Sequence, residues 1–144
     1  MRTFIYIDGF NLYYGSVKDT AYKWLDLMAL FKAILKPYND IQAIKYYTAM
    51  VSARPGALDA PVHQTTYLNA LRAHTPQIEI TLGHFLTSSK TMRLVNPPLI
   101  GSKYANVIKT EEKGSDVNLA LHVLNDAWQD KYDCAVVCSN DSDL

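Results

Sequence analysis

Three short stretches carry the side chains of this sequence best suited to chemistry. Near the start, Tyr6-Ile7-Asp8-Gly9-Phe10-Asn11-Leu12 sets a carboxylate and an amide directly behind an apolar run. At the other end, residues 135–144 (A-V-V-C-S-N-D-S-D-L) pass from β-branched apolar residues into a polar tail with two acids, Asp141 and Asp143. Ahead of that, Gly114-Ser115-Asp116-Val117 places a further acid where a helix is expected to begin. Carboxylates about 4 Å apart repel by about 4 kcal/mol at an effective dielectric near 20, so a cluster of them requires protons or a cation. Oxygen donors without His or Cys nearby favour Mg²⁺ or Mn²⁺ over zinc. Such a site holds phosphate oxygens and activates water for in-line attack, which makes phosphodiester hydrolysis the expected reaction class.

Each stretch alone has a plainer explanation. Asp8-Gly9 and S-N-D-S-D are good turn chemistry, Asn11 is a natural turn cap, and an acid at Asp116 suits the positive end of a helix dipole. The chemical reading gains weight only if the chain folds so that the three stretches meet.

The elements that would bring them together are legible from hydropathy. Apolar runs at residues 4–7, 43–51, 78–82 and 135–138 read as strands, the first and last as strands buried on both faces. Helical periodicity marks residues 25–35, ended by Lys36-Pro37 and supported by Asp26 at its start, and residues 62–74, stopped by Pro76. Residues 11–17, with Tyr13 and Tyr14, suit a helical turn. A final helix is expected from Asp116 to about residue 131, with Gly114-Ser115 as its cap. Its apolar face is read as Val117, Ala120, Leu121, Leu124, Ala127 and Trp128. Trp24 and Trp128 are expected in the core, as are the pairs Tyr13-Tyr14 and Tyr46-Tyr47. Strand and helix alternate, which predicts an α/β fold with a parallel sheet, and ligands in such sheets bind at the carboxyl ends of the strands. Asp8, Asn11, Asp116, Asp141 and Asp143 would share that edge, with the neighbouring Glu112 at the pocket or its rim.

Length and composition bound the rest. The 144 residues suit one domain with a sizeable core, and 49 % hydrophobic with 19 % charged residues is a globular composition. No apolar run approaches a membrane span, and Met1-Arg2-Thr3 leads straight into the first strand, so a cytoplasmic protein without membrane association is expected. Cys134 and Cys138, four apart on a strand, would have Cα atoms ~13 Å apart at ~3.3 Å per residue, too far for a disulfide. Fourteen basic and fourteen acidic residues cancel. Their distribution does not: from Thr81 to Thr110 there is no acid, while Lys90, Arg93, Lys103 and Lys109 all lie inside. That irregular segment, with short strands expected near residues 85–87 and 106–109, is a candidate arm for a nucleic-acid backbone. His63, His74, His84 and His122 are scattered and suggest no metal cluster.

Y-I-D-G-F-N-L, E-K-G-S-D-V-N-L-A-L and V-V-C-S-N-D-S-D-L, in that order and spacing, resemble the three signatures of the NYN domain family, PIN-like nucleases also described as LabA-like. The resemblance covers nearly the whole chain as a single domain. It implies a PIN-like three-layer α/β/α sandwich with a mainly parallel central sheet. It also implies Mg²⁺- or Mn²⁺-dependent endoribonuclease activity on RNA, with Asp8, Asp116 and Asp141 as metal-binding carboxylates. Asp143 matches the second acid of the last motif and Asn11 the motif asparagine. Lys113 and Ser139 match flanking positions suited to orienting phosphate or the last-strand loop. His122 stands where many relatives carry an acid. The sequence ends at Leu144, where relatives continue into a further helix and strand, so an open pocket wall and association with a second copy or a protein partner are expected. The competing expectations are a catalytically weak NYN-fold module that binds RNA or protein, and a Mg²⁺-dependent phosphatase. The latter's paired D-x-D is interrupted by Phe10. A dinucleotide fold lacks its G-x-G-x-x-G.

Overall fold

The computed structural model describes residues 1–141. Five strands form one sheet in the order β4-β3-β2-β1-β5: β1 Arg2–Asp8, β2 Asp40–Ala49, β3 Ile78–Arg93, β4 Tyr104–Lys113 and β5 Cys134–Cys138. β1 runs parallel to both β2 and β5, and β2 parallel to β3, while β3 and β4 pair antiparallel. The chain is therefore a mixed α/β fold with a mostly parallel sheet. Helices α1 Gly9–Leu12, α2 Leu27–Ile34, α3 Ala60–His74 and α4 Ser115–Trp128 join the strands, and α1 widens into a π turn over Tyr13–Val17. α2 begins at Leu27 rather than at the expected Leu25, and Asp26 supports its start as expected, accepting the Ala29 amide at 3.0 Å. Among the described residues no helix is long and apolar enough to cross a membrane.

The two-residue period of a strand divides the core between the faces of the sheet. Ile5 and Ile7 of β1, with Ile44 and Tyr46 of β2, pack against Leu27 and Phe31 of α2 and Leu68 and Leu71 of α3. The alternate residues Tyr6 and Tyr47 face the other way, against Leu119 of α4, with Phe4, Val123, Tyr132 and Ala135 closing round them. The first face is held almost wholly by apolar burial. The second also carries a buried ion network: Asp126, 2 % exposed, accepts from Lys45 at 2.6 Å, Tyr6 at 3.0 Å and Lys131 at 2.9 Å.

That network corrects the expected setting of α4. Val117, Leu121, Leu124 and Trp128 are not core; they are 56–91 % exposed. The helix instead turns Ser115, Leu119, His122 and Asp126 inward, and His122 Nδ1 meets the Tyr47 hydroxyl at 2.8 Å. Burying four apolar side chains would have left Lys45 of β2 without its carboxylate, and a buried unpaired charge costs several kcal/mol. Trp24 is likewise exposed, whereas Tyr46 and Tyr47 are core as expected. Both cysteines are free.

The acid-poor segment is also more regular than its sequence suggests. β3 continues without a break from its parallel pairing with β2 into an antiparallel hairpin with β4, from His84↔Lys113 out to Arg93↔Tyr104. Backbone pairing and polar cross-strand contacts such as Thr87 to Thr110 at 2.9 Å hold it, with little burial.

Candidate active site at the carboxyl edge of the sheet

β1 ends at Asp8 because the chain turns there into α1. Asp8 is the N-cap of that turn: its Oδ1 accepts the Asn11 amide at 2.9 Å and its Oδ2 accepts from Asn11 Nδ2. Ile7 is level with Cys138 of β5, so the next positions, Asp8 and Ser139, leave the sheet side by side. Asn11 Nδ2 also reaches Ser139 Oγ at 3.2 Å, and Ser139 Oγ accepts the Asp141 amide at 3.0 Å. The two expected motifs are thereby tied by one asparagine and one serine. Gly9 is required next to Asp8: a Cβ there would lie 2.6 Å from the Tyr46 ring, closer than side chains approach.

The third motif arrives from α4. Gly114, at φ 98°, makes the left-handed step into the helix, and Asp116 falls in its first turn as expected. Asp8, Asp116 and Asp141 then line one cavity of about 580 Å³, together with Asn11 and a fourth carboxylate, Glu112 of β4. Glu112 accepts from Ser115 Oγ at 2.8 Å. Its approach depends on Gly83 of β3, where a Cβ would sit 2.7 Å from the Lys113 carbonyl and on the Glu112 carboxylate itself. The hairpin thus brings Glu112 into the cavity wall, where the sequence placed it at the pocket or its rim.

The electrostatics of the cavity are those of crowded acids. The Asp116 carboxyl is held above its ordinary range, first by partial burial and then by the charges of Asp8, Asp141 and Glu112. A hydrogen bond with Asp8 adds to the effect. Oxygen-only donors that repel one another suit a hard divalent cation in chemical type. Among the described residues, however, no three acids are arranged as a ready coordination set. The local reason is visible: Asp8 gives both oxygens to Asn11, and Asp116 hydrogen-bonds Asp8. Asp143 lies outside the described residues.

The expected cations are placed differently. Phe85, Thr87 and Thr110 of the hairpin join Glu112 in the cavity wall. By alternation, Lys90, Lys109 and Lys113 point to the opposite face of the hairpin, where all three surround Glu111 at 2.5–3.5 Å. Hydrogen bonds from Lys109 and Lys90 bring the Glu111 carboxyl down to about 2. Arg93 pairs across from Tyr104 at the distal end, and Lys103 follows the turn. None of Lys90, Arg93, Lys103, Lys109 or Lys113 lines the cavity. The cation that does is Arg54, from the loop after β2, which reaches the Tyr14 hydroxyl at 3.4 Å. Sequence reading passed over it because Arg54-Pro55-Gly56 looks only like a turn.

A model of the NYN domain matches residues 2–144. The chain belongs to the NYN domain family. NYN domains are PIN-like and are generally nucleases, in keeping with carboxylates gathered at the ends of β1 and β5. The chain is also 38 % identical, over 168 aligned residues, to the 6-hydroxy-3-succinoylpyridine 3-monooxygenase HspA of Pseudomonas putida. The match takes in 100 % of this NYN domain and 53 % of that protein, so the chain spans about half the length of the curated relative it matches. No solved structure matches it.

Proposed function

We propose that this NYN domain is a metal-dependent endoribonuclease that hydrolyses RNA phosphodiester bonds, on a PIN-like α/β/α sandwich working in the cytoplasm. The observation that carries the proposal is the convergence of Asp8, Asp116 and Asp141 from three separate elements into one cavity, with Asp116 raised by its neighbours. Asp8, Asp116 and Asp141, with Asp143, would hold Mg²⁺ or Mn²⁺, which when bound supplies Lewis-acid polarisation of the phosphate and an activated water. Asn11 fixes the Asp8 carboxylate and ties it to Ser139, and Arg54 offers a guanidinium to a phosphate entering beside the acids. Lys90, Arg93, Lys103, Lys109 and Lys113 would act further out, as cationic surface for the RNA strand. The exposed stripe on α4 supports association with a second copy or a protein partner, which light scattering would detect.

The deciding experiment is cleavage of generic single-stranded RNA with Mn²⁺, comparing the wild type with Asp8→Asn. Cleavage by the wild type and its loss in the variant support the proposal. No cleavage by a folded wild type leaves the weak, RNA- or protein-binding module in its place. A second reading is favoured by HspA, whose name assigns it oxygenation of a pyridine ring. Incubation with 6-hydroxy-3-succinoylpyridine, dioxygen and an electron donor, followed by mass spectrometry, tests it: because C3 already carries the succinoyl chain, a dihydroxypyridine with one oxygen from dioxygen in place of that chain, together with the released four-carbon fragment, would establish the second reading.

A further inference from the structure

Beside the acidic cavity lies a second one, of about 630 Å³, on the α3 side of the β2 carboxyl end. The two share Phe10, Tyr14, Val51, Ser52 and Arg54. Aromatic rings line the second cavity on two sides. Phe10 and Tyr14 stack at 6.2 Å on one side, and Trp24 stands edge-on to Tyr67 at 6.1 Å and to His63 at 6.3 Å on the other. Trp24 and Tyr14 remain about half exposed, so their ring surface is available to a ligand.

Tyr46 supplies an independent observation. It lines this cavity while only 6 % exposed, and among the described residues its hydroxyl has no hydrogen-bond partner. The other tyrosine hydroxyls buried in the fold are satisfied: Tyr6 by Asp126, Tyr47 by His122 and Tyr67 by the Leu25 carbonyl. The Tyr46 hydroxyl is not sealed in the core, since the buried side-chain atom left without a partner among the described residues is Thr75 Oγ1; it opens to the cavity, where a ligand can meet it. Gly9 makes room for this hydroxyl, since a Cβ there would lie 2.7 Å from it. Cations complete the set at the mouth, where Lys18 lies over the Tyr14 ring at 5.4 Å and Arg54 bonds the Tyr14 hydroxyl. Arg54 forms no ion pair with a carboxylate among the described residues.

We infer that this chamber binds a planar nitrogen-heteroaromatic ring bearing an anionic group, with the ring among Phe10, Tyr14 and Trp24, its polar edge on the Tyr46 hydroxyl, and the anion at Arg54. Aromatic walls select any flat π-face, the unpaired Tyr46 hydroxyl on the cavity wall selects a ring with a hydrogen-bonding edge, and the shared Arg54 turns the anion toward the acids. Two sources offer that chemistry: a nucleobase with its phosphate, and a free ring such as a hydroxypyridine carboxylate. The placement of the ring next to the bond being cut rests on the nuclease reading; the binding itself does not.

The test uses Trp24 as its own reporter, in a Trp128→Phe background that removes the other tryptophan, which is 91 % exposed on α4. The full chain, without metal, is titrated with uridine and adenosine monophosphates, with 6-hydroxypyridine-3-carboxylate, and with ribose phosphate as a ringless control. Saturable fluorescence change with ring ligands is expected, about tenfold weaker for ribose phosphate and about tenfold weaker in Tyr46→Phe, the loss of one good hydrogen bond. Tighter binding of the nucleotides assigns the chamber to a nucleobase, and tighter binding of the pyridine assigns it to a small ring. No saturable change with any ring, equal binding of ribose phosphate, or an unaffected Tyr46→Phe variant overturns the inference. RNA cleavage assayed on the same wild-type protein separates it from the nuclease reading: ring binding without cleavage leaves the chamber standing alone. Cleavage without ring binding removes the chamber and keeps the nuclease.

Discussion

Asp116 and Asp126 sit at opposite ends of the same helix and live in opposite electrostatic worlds. Asp116, in the first turn of α4, faces three other carboxylates and is pushed above the ordinary range by partial burial and by Asp8, Asp141 and Glu112. Asp126, in the last turn, is deeper, and burial alone would push it up as well. Hydrogen bonds from Lys45, Lys131 and Tyr6 outweigh that and hold it below the ordinary range. One end of α4 is therefore an anchor in which a carboxylate meets two lysines and a hydroxyl, and the other brings like charges together. Repulsion of this kind persists only where surrounding structure imposes it, and it gathers at functional sites.

The largest effect should come from breaking the anchor. Asp126→Ala leaves Lys45 buried beside Glu79 alone, at 3.3 Å, and removes the acceptor of Tyr6. Loss of about 3–5 kcal/mol is expected in urea unfolding. Replacing both partners, with Lys45→Met and Asp126→Leu, should recover most of that stability, because no charge is then stranded. A double variant as unstable as Asp126→Ala would show that the network contributes more than charge compensation.

The two ends should also respond to pH with opposite signs. Asp126 has a depressed folded pKa, so the stability it confers is complete above the unfolded carboxylate value of about 3.9 and is lost as pH falls through the folded value. Asp116 has a raised folded pKa, so the folded state binds the extra proton and stability falls as pH rises through that window. Asp116→Asn, neutral at every pH, should therefore melt slightly higher than the wild type at neutral pH and lose the advantage in acid, while RNA cleavage disappears. A variant that melts lower at neutral pH would mean that Asp116 is not crowded by like charge.

How much of this was legible beforehand differs between the two ends for a physical reason. Asp8, Asp116 and Asp141 could be placed because each follows a local signal, a strand end or a helix start, and the parallel order of β1 and β5 does the rest. Glu112 was expected at the rim as a neighbour of the Asp116 motif, and the register of β4 brings it into the cavity wall. Arg54 could not be placed, since a loop arginine acquires meaning only from the fold that brings it to the cavity. The hairpin was underestimated because its strands are held by their own ladder, so they carry little of the apolar alternation that marks buried strands. Asp126 was invisible as an anchor because its partners Tyr6 and Lys45 lie far away in sequence.

The smallest effects should come from the face of α4 that hydropathy nominated for the core. Val117, Leu121, Leu124 and Trp128 have the spacing i, i+4, i+7, i+11, and so do Ser115, Leu119, His122 and Asp126, two residues earlier and so roughly 200° round the helix at about 100° per residue. Periodicity cannot choose between two such faces, and hydrophobicity chooses the first. Electrostatics chooses the second, because only that setting brings a carboxylate to Lys45 and an imidazole to Tyr47. Leu124→Gln and Trp128→Ser should consequently change stability by no more than about 0.5 kcal/mol each, the usual range for surface positions. Leu119→Ala, on the inward face, should cost about 2–5 kcal/mol. Urea unfolding of the three variants measures the rotation of the helix directly. If Leu124→Gln proved as costly as Leu119→Ala, the hydropathic face would be the buried one, Asp126 would face water, and the contrast between the two aspartates would vanish with its anchor.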